Sequence, residues 1–226
     1  TGVILATGYG SLKTTFNFLD SYIEKGDKLA SPTHFSNSVH NAPASHIAIN
    51  YGITGPNLTV SQFDISFISG LVTAGAWLKE RTADAVLIGS SDACCNVMEY
   101  SMETLSQKSA YSDGMFKESA AFLLLTRDDI PPRHGYLHDF AIGNTRNGTG
   151  PLPDDARFIL CPPSIAPCDQ SLTDEMKKAK KTFTAARPFS PTDCSINLVN
   201  AIRSREKTVY FKSGRNGMFA RTTSSP

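Results

Sequence analysis

The sequence predicts an α/β fold with a mainly parallel central sheet flanked by helices. Three observations carry this. Apolar runs of strand length alternate with helical stretches along the chain. The run Ala85-Val86-Leu87-Ile88 has no polar side chain, as expected of a strand covered on both faces. Ile65 to Arg81 places Phe67, Leu71, Ala74 and Leu78 on one helical stripe, a face suited to lie against such a sheet.

Taken in order, Val3 to Ala6 is an apolar strand that runs into the turn Thr7-Gly8-Tyr9-Gly10. Thr14 to Lys25 carries Thr15, Phe18, Leu19, Tyr22 and Ile23 at helical spacing, and Gly26 ends it. Leu29 to Asn37 is polar and reads as a loop. Ser38 to Tyr51 suits a helix if Pro43 lies in its first turn. Leu58 to Phe63 reads as a strand, followed by the helix from Ile65 and the strand at Ala85 to Ile88. Ala120 to Leu125 and Tyr136 to Ile142 are further strands. Residues 145–170, rich in Pro, Gly and Asp, read as a long loop outside the sheet, and Ser171 to Lys181 as a polar helix. Ser190-Pro191-Thr192-Asp193 is a capped helix start, running to about Arg203. Thr208 to Lys212 and Met218 to Thr223 close the chain as strands.

With 226 residues, 40% hydrophobic and 19% charged, the chain is long enough to bury a sizeable core. A formal net charge of +1 gives no electrostatic footprint for nucleic acid or an acidic membrane surface. No apolar run approaches the roughly 18 residues of a membrane span. The chain opens on Thr1 rather than Met and shows no signal-peptide pattern. Its five cysteines lack CxxC spacing, which predicts reduced thiols and a cytoplasmic location.

Gly8-Tyr9-Gly10-Ser11-Leu12-Lys13-Thr14 sits between a strand and a helix, as a nucleotide-binding loop would. It departs from both patterns. A P-loop needs Gly directly before the Lys, where Leu12 stands, and the dinucleotide fingerprint needs a small third residue, where Lys13 stands. His34, His40 and His46 are six apart, so no pair shares a helical face as metal ligands four apart would. No motif implies a metal or a cofactor.

The most specific segment runs from Ser31 to Ser90. It contains Ser31-Pro32-Thr33-His34-Phe35-Ser36-Asn37-Ser38-Val39-His40-Asn41-Ala42, Gly52-Ile53-Thr54-Gly55-Pro56-Asn57-Leu58-Thr59-Val60, Ser61-Gln62-Phe63-Asp64-Ile65-Ser66-Phe67 and Asp84-Ala85-Val86-Leu87-Ile88-Gly89. This resembles the β-ketoacyl synthases of the condensing-enzyme, or thiolase-like, superfamily. Members of that family read Gly-x-x-Gly-Pro-x-x-Thr-Val before a nucleophile elbow, then a helix, then an Asp, an apolar strand and glycines. Aligned without a gap, the nucleophilic Cys of the family falls on Asp64, and its later Asp and Gly on Asp84 and Gly89. Asp113 to Ala121 resembles the family's Asp-Gly-Phe-x-x-Gly-Glu-Gly-Ala stretch with two glycines lost. Beyond about residue 180 only Pro191 to Ile202 and Lys212 to Arg221 resemble closing elements of the second half. The family's first strand, its two catalytic histidines and its lysine have no counterpart.

The resemblance implies a thiolase-like half over residues 1–180, with residues 181–226 as a much-reduced second half. A condensing enzyme needs a thiolate at a helix N-terminus to carry the acyl chain, and histidines to assist decarboxylation and hold the oxyanion. A carboxylate at position 64 is a poor nucleophile, and its acyl product would be an anhydride. Its simplest role is as a helix N-cap. The resemblance therefore implies a non-condensing subunit like a chain length factor, supporting acyl-chain elongation in fatty-acid, polyketide or polyene-type synthesis. Two alternatives are a decarboxylase or hydrolase of acyl thioesters using Asp64, and a binding protein for acyl groups or acyl carrier protein. The implied partner is a ketosynthase-like subunit or a second copy, with acyl carrier protein as a visitor. The implied dimer interface is the strand Leu58, Thr59, Val60, Ser61, Gln62 and Phe63. The implied acyl-tunnel gate is Phe35, Ser38, Val39 and Asn41.

Overall fold

The computed structural model describes residues 1–106, 118–131, 133–147, 157–161, 174, 183–185, 193–205, 207–213 and 218–226. Its first sheet has the order β2-β1-β3-β4. Here β1 is Gly2–Thr7, β2 Asn57–Ser61, β3 Ala85–Asp92 and β4 Ser119–Thr126. β1 pairs in parallel with both β2 and β3, and β4 closes the sheet antiparallel to β3. Every residue of β1 is buried. Its Val3 and Leu5 meet Ala44 on one face, while Ile4 and Ala6 join Phe67, Ile68 and Leu71 on the other. A strand covered on both faces must be apolar throughout, which is why β1 and the Ala85–Ile88 run of β3 were legible.

The helices along the first sheet are α1 (Leu12–Lys25), α2 (Pro32–Ser38), α3 (Ala42–Asn50), α4 (Ser66–Lys79) and α5 (Asn96–Ser106). α3 covers β1 and β2 on one side, with Pro43 in its first turn as expected. α4 lies on the other side. Gly70 lets it approach closely, since a Cβ there would sit 3.1 Å from both Ile4 Cγ2 and Ile88 Cδ1. Phe67, Ile68, Leu71 and Ala74 are fully buried, and each large side chain among them stabilises the fold by about 1.5–3 kcal/mol.

A second, five-stranded sheet has the order β5-β9-β8-β6-β7. It comprises β5 (Tyr136–Asn144), β6 (Arg157–Cys161), β7 (Phe183–Ala185), β8 (Thr208–Ser213) and β9 (Met218–Ser225). Its strands come from both sides of residue 180. β6 is parallel to β7 and β8, whereas β9 is antiparallel to β5 and β8. α4 and α6 (Asp193–Arg203) lie between the two sheets: α4 touches β1, β3, β5 and β9, and α6 touches β4, β8 and β9. Cys194 and Leu198 of α6 enter the same core as Phe67. A bulge between His138 and Ala141, with Asp139 at φ 54°, accompanies the placing of Phe140 against Gly75 of α4.

Three expectations need correction. Leu29 to Asn37 is not a loop: Pro32–Ser38 is helical, with Pro32 in the first turn and Ser31 Oγ accepting from the His34 N–H at 3.2 Å. A local cap nucleates this turn, which buries no residue and so shows no apolar period. Residues 145–170 are not all loop outside the sheet, because Arg157–Cys161 forms a strand of the second sheet, paired with β7 and β8. The strand expected at Leu58 to Phe63 stops at Ser61. The helix expected at Ser171 to Lys181 lies outside the described residues apart from Asp174, and the Ser190-Pro191-Thr192 helix start lies outside them entirely.

Candidate functional site

The chain leaves β2 at Ser61 and enters α4 through a sharp elbow. Gln62 has φ −138° and ψ 38°, and Phe63 then adopts φ 49° as the first residue of a single 3₁₀ turn, Phe63–Ile65. A bulky residue in left-handed backbone costs about 1–2 kcal/mol and persists only where neighbours enforce it. Ser66 provides that enforcement. Its hydroxyl accepts from the Gln62 N–H at 2.7 Å and lies 2.9 Å from the Thr7 carbonyl and 2.7 Å from that of Phe63. With a single proton it donates to one carbonyl at a time. The Phe63 ring, 49% exposed, meets Tyr9 edge to face at 6.1 Å.

Asp64 sits in the middle of this turn with 4% exposure. The expectation that it caps the helix is corrected. Ile65 holds the cap position of α4 and makes no side-chain cap, while Asp64 lies inside the preceding turn. Ile65 itself has φ −101° and ψ 2°, outside extended cap geometry.

Sequence reasoning missed the residue that organises the neighbouring loop. Asp92, 3% exposed at the end of β3, accepts from Thr7 Oγ1 at 2.6 Å, from the Gly8 N–H at 3.0 Å and from the Tyr9 N–H at 3.2 Å. Thr7 Oγ1 in turn accepts from the Gly10 N–H at 2.8 Å. The amide groups that would cradle a phosphate in a nucleotide loop are thus turned onto an internal carboxylate. Gly10 has φ 65°, and a Cβ there would fall 1.5 Å from the His40 ring, so only glycine fits. The available signal for Asp92 was its place at the carboxyl end of a buried strand, where parallel sheets assemble their sites.

Asp84 is 82% exposed and paired with Arg127, which also reaches Asp129 at 3.2 Å; it ties the ends of β3 and β4 rather than facing Asp64. Along β2, Leu58, Thr59 and Val60 are half-buried and Ser61 is exposed, with Gln62 and Phe63 exposed beyond the strand. Phe35 is 58% exposed and tilts onto Phe18 at 5.4 Å. Ser38 Oγ donates to the Phe35 carbonyl, Val39 follows α2, and Asn41 precedes α3. A groove of about 460 Å³ opens between α1, α2, α3 and β4, lined by Leu5, Asn37, Pro43, His46, Ser91 and Phe122 among others. Of the segment from Phe35 to Asn41 only Asn37 reaches it, and no residue of the elbow does. The elbow, with its strained backbone and buried carboxylate, is therefore the more informative site.

Residues 2–129, more than half of the chain, match the family model described as β-ketoacyl synthase, N-terminal domain. The chain belongs to the β-ketoacyl synthase family. Similar curated proteins include the chloroplastic 3-oxoacyl-[acyl-carrier-protein] synthase I of Arabidopsis thaliana and that of Hordeum vulgare. Each is 27% identical over 92 residues, covering 41% of this chain and 20% of the relative. The match thus spans about a fifth of those relatives' length. Among solved structures, the ishigamide ketosynthase/chain length factor aligns over 99% of this chain and 72% of its own, with TM-score 0.77 and 15% identity. A type II polyketide synthase acyl-carrier protein in complex with its ketosynthase aligns over 99% and 75%, with TM-score 0.80 and 16% identity. A ketosynthase in complex with its chain length factor from Xenorhabdus doucetiae aligns over 98% and 68%, with TM-score 0.58 and 15% identity. These likenesses establish the thiolase-like ketosynthase fold.

Proposed function

We propose that this chain is a non-condensing ketosynthase-like subunit, of the kind represented by chain length factors, that supports acyl-chain elongation in fatty-acid, polyketide or polyene-type synthesis. The observation that carries the reading is Asp64, a carboxylate buried at the elbow, where the sequence resemblance implies the family nucleophile. A carboxylate forms no thioester, and its charge opposes an incoming malonyl carboxylate. The chain length factors and the acyl-carrier-protein complex among its structural neighbours support a ketosynthase as partner and an acyl carrier protein as visitor. Among the described residues β2 is an outer strand of the first sheet, and in this reading it is the edge through which a partner strand would pair, with Leu58, Thr59, Val60 and Ser61 in the ladder and Gln62 and Phe63 beside it. Phe35, Ser38, Val39 and Asn41 border the acyl route in this reading.

The test is incubation of the purified chain with labelled acyl and malonyl thioesters, followed by intact-mass and peptide mass spectrometry. No adduct at residue 64, no decarboxylation and no hydrolysis are expected from the chain alone. Co-purification should recover a partner that carries an intact catalytic Cys. An acyl adduct on Asp64, or turnover of either thioester by the isolated chain, overturns the reading in favour of a decarboxylase or hydrolase.

A further inference from the structure

We infer that the adjacent Cys94 and Cys95 are a modification site, at which hydrogen peroxide closes a reversible disulfide between the two neighbours. They lie in the short lead from β3, which ends at Asp92, into α5, which starts at Asn96. Both are free thiols, Cys94 half-buried and Cys95 buried. Cys194, the other cysteine whose side chain is described, lies in the Phe67 core. The thiol that each can reach is therefore the one beside it in the chain. Two carboxylates hold this segment. The Cys94 thiol donates to Glu99 Oε1 at 3.6 Å, and the Cys94 N–H donates to Glu118 Oε1 at 3.0 Å. The Cys95 carbonyl accepts from the Glu99 N–H at 3.0 Å at the start of α5.

The reaction has two steps. The Cys94 thiolate, on the more open sulfur, attacks one peroxide oxygen. An S–O bond forms, the O–O bond breaks, and the departing hydroxide takes the proton that the thiol has shed. The products are a sulfenic acid and water. The Cys95 sulfur then attacks the sulfenic sulfur. The S–S bond forms, the S–O bond breaks, and the hydroxyl leaves as a second water with the Cys95 proton. Two electrons pass from the two sulfurs to the peroxide. Adjacency makes the product a switch and not a brace. A trans peptide holds successive Cα atoms about 3.8 Å apart, less than the roughly 4.4–6.8 Å of an ordinary disulfide. The closed ring is strained, so a dithiol reduces it readily. The bonds flanking the ring, Cys94 N–H to Glu118 and Glu99 N–H to the Cys95 carbonyl, are the ones that yield to the strain. Burial, and then the Glu99 carboxylate, disfavour the Cys94 thiolate, so the pair rests in the reduced form and responds only to a raised peroxide level.

The test exposes the folded chain to hydrogen peroxide, denatures it in iodoacetamide to cap every remaining thiol, and weighs the tryptic peptide 82–108. That peptide follows Arg81, ends at Lys108 and has Cys94 and Cys95 as its only cysteines. It should be uncapped and lighter than the dithiol by two hydrogens, and dithiothreitol before capping should restore the doubly capped form. Oxidation of Met98 or Met102 adds oxygen instead, so the two are told apart. Cys95→Ser, treated with peroxide and dimedone, should carry dimedone on Cys94, whereas wild type should not. Glu99→Gln should oxidise faster than wild type, and the Glu99 amide of wild type should lose hydrogen-exchange protection once the disulfide forms. A wild-type peptide that stays doubly capped overturns the inference. So does one joined to another peptide, or one that ends as a sulfinic acid without passing through the disulfide. Wild type decides alone if the Ser variant fails to fold. None of these readouts involves residue 64, so a negative result leaves the ketosynthase-partner reading untouched.

Discussion

Replacing Asp92 with Ala removes the acceptor that holds the Thr7–Gly10 loop, and its cost can be worked from the contacts. Three donors lose their partner: the Thr7 hydroxyl, the Gly8 N–H and the Tyr9 N–H. Thr7 and Gly8 are buried, whereas Tyr9 is half-buried and open to rehydration. Each buried donor left unsatisfied costs about 1–3 kcal/mol, and breaking a buried charged contact costs about 3–5 kcal/mol in all. The expected loss is therefore about 3–5 kcal/mol. At roughly 2–4 °C per kcal/mol for a chain of this size, Tm falls by about 6–20 °C. Asp92→Asn should fall between wild type and Ala. Its carbonyl oxygen still serves Thr7, but its NH₂ must face the Gly8 N–H, donor against donor. Thermal melts and urea titrations followed by circular dichroism give the two losses. Hydrogen exchange at Gly8 and Tyr9 gives the local effect, since both amides should lose protection in Asp92→Ala. An Asp92→Ala protein within about 1 kcal/mol of wild type, with both amides still protected, would refute the clamp.

Successive N–H groups of a strand point to opposite edges, so of Val60→Pro and Ser61→Pro one removes a donor to β1 and the other a donor to the open edge of β2. The second should abolish ketosynthase association in light scattering with the smaller loss of Tm; retention of the partner by both variants would sink the β2 interface. Asp64→Cys alone should show no condensation in a labelled malonyl assay, because the histidines of the family's second half have no counterpart; product formation would contradict the non-condensing reading. Burial, with the nearby Glu99 carboxylate adding to it, pushes the Cys94 thiol above its ordinary pKa, so less thiolate is present at a given pH. Cys94 should react with iodoacetamide more slowly than a free thiol at pH 8, and Glu99→Gln should speed it; an unchanged rate would show that Glu99 does not act on this thiol.

Much of the fold was legible because it rests on long-range burial that leaves a one-dimensional mark. The apolar runs of β1 and β3 and the stripe Phe67-Leu71-Ala74 on α4 record which surfaces meet the core. α2 left no such mark, since it buries nothing and is set by the Ser31 cap and Pro32 alone. β6 lies within a Pro-, Gly- and Asp-rich stretch whose composition masks five strand residues. The end of β2 was overrun by two residues because no Gly or Pro interrupts the run between Leu58 and Phe63, and nothing in the residue type signals a left-handed Phe. At the site, Asp64 was found by alignment of the surrounding motif and not by its own chemistry. Asp92 was missed because its partners, the Thr7 hydroxyl and the Gly8 and Tyr9 amides, lie more than eighty positions away, which no local pattern reports.

The elbow explains how a ketosynthase scaffold can lose its nucleophile and keep its shape. The turn is held by Ser66 on Gln62, Phe63 and Thr7, and by Asp92 on Thr7, Gly8 and Tyr9. None of these contacts uses the side chain at position 64. The hydroxyl of Ser66 thus ties the backbone at Phe63 to the end of β1. A thiol presented there is a nucleophile waiting for an acyl chain; in the proposed reading the carboxylate presented there removes the covalent step. The surfaces that survive are β2, which leads into the elbow, and the α2–α3 segment beyond the Tyr9–Phe63 contact. In the proposed reading those are the surfaces a partner that performs the covalent step would need, so the reading assigns the chain a role in assembly rather than a new reaction at Asp64.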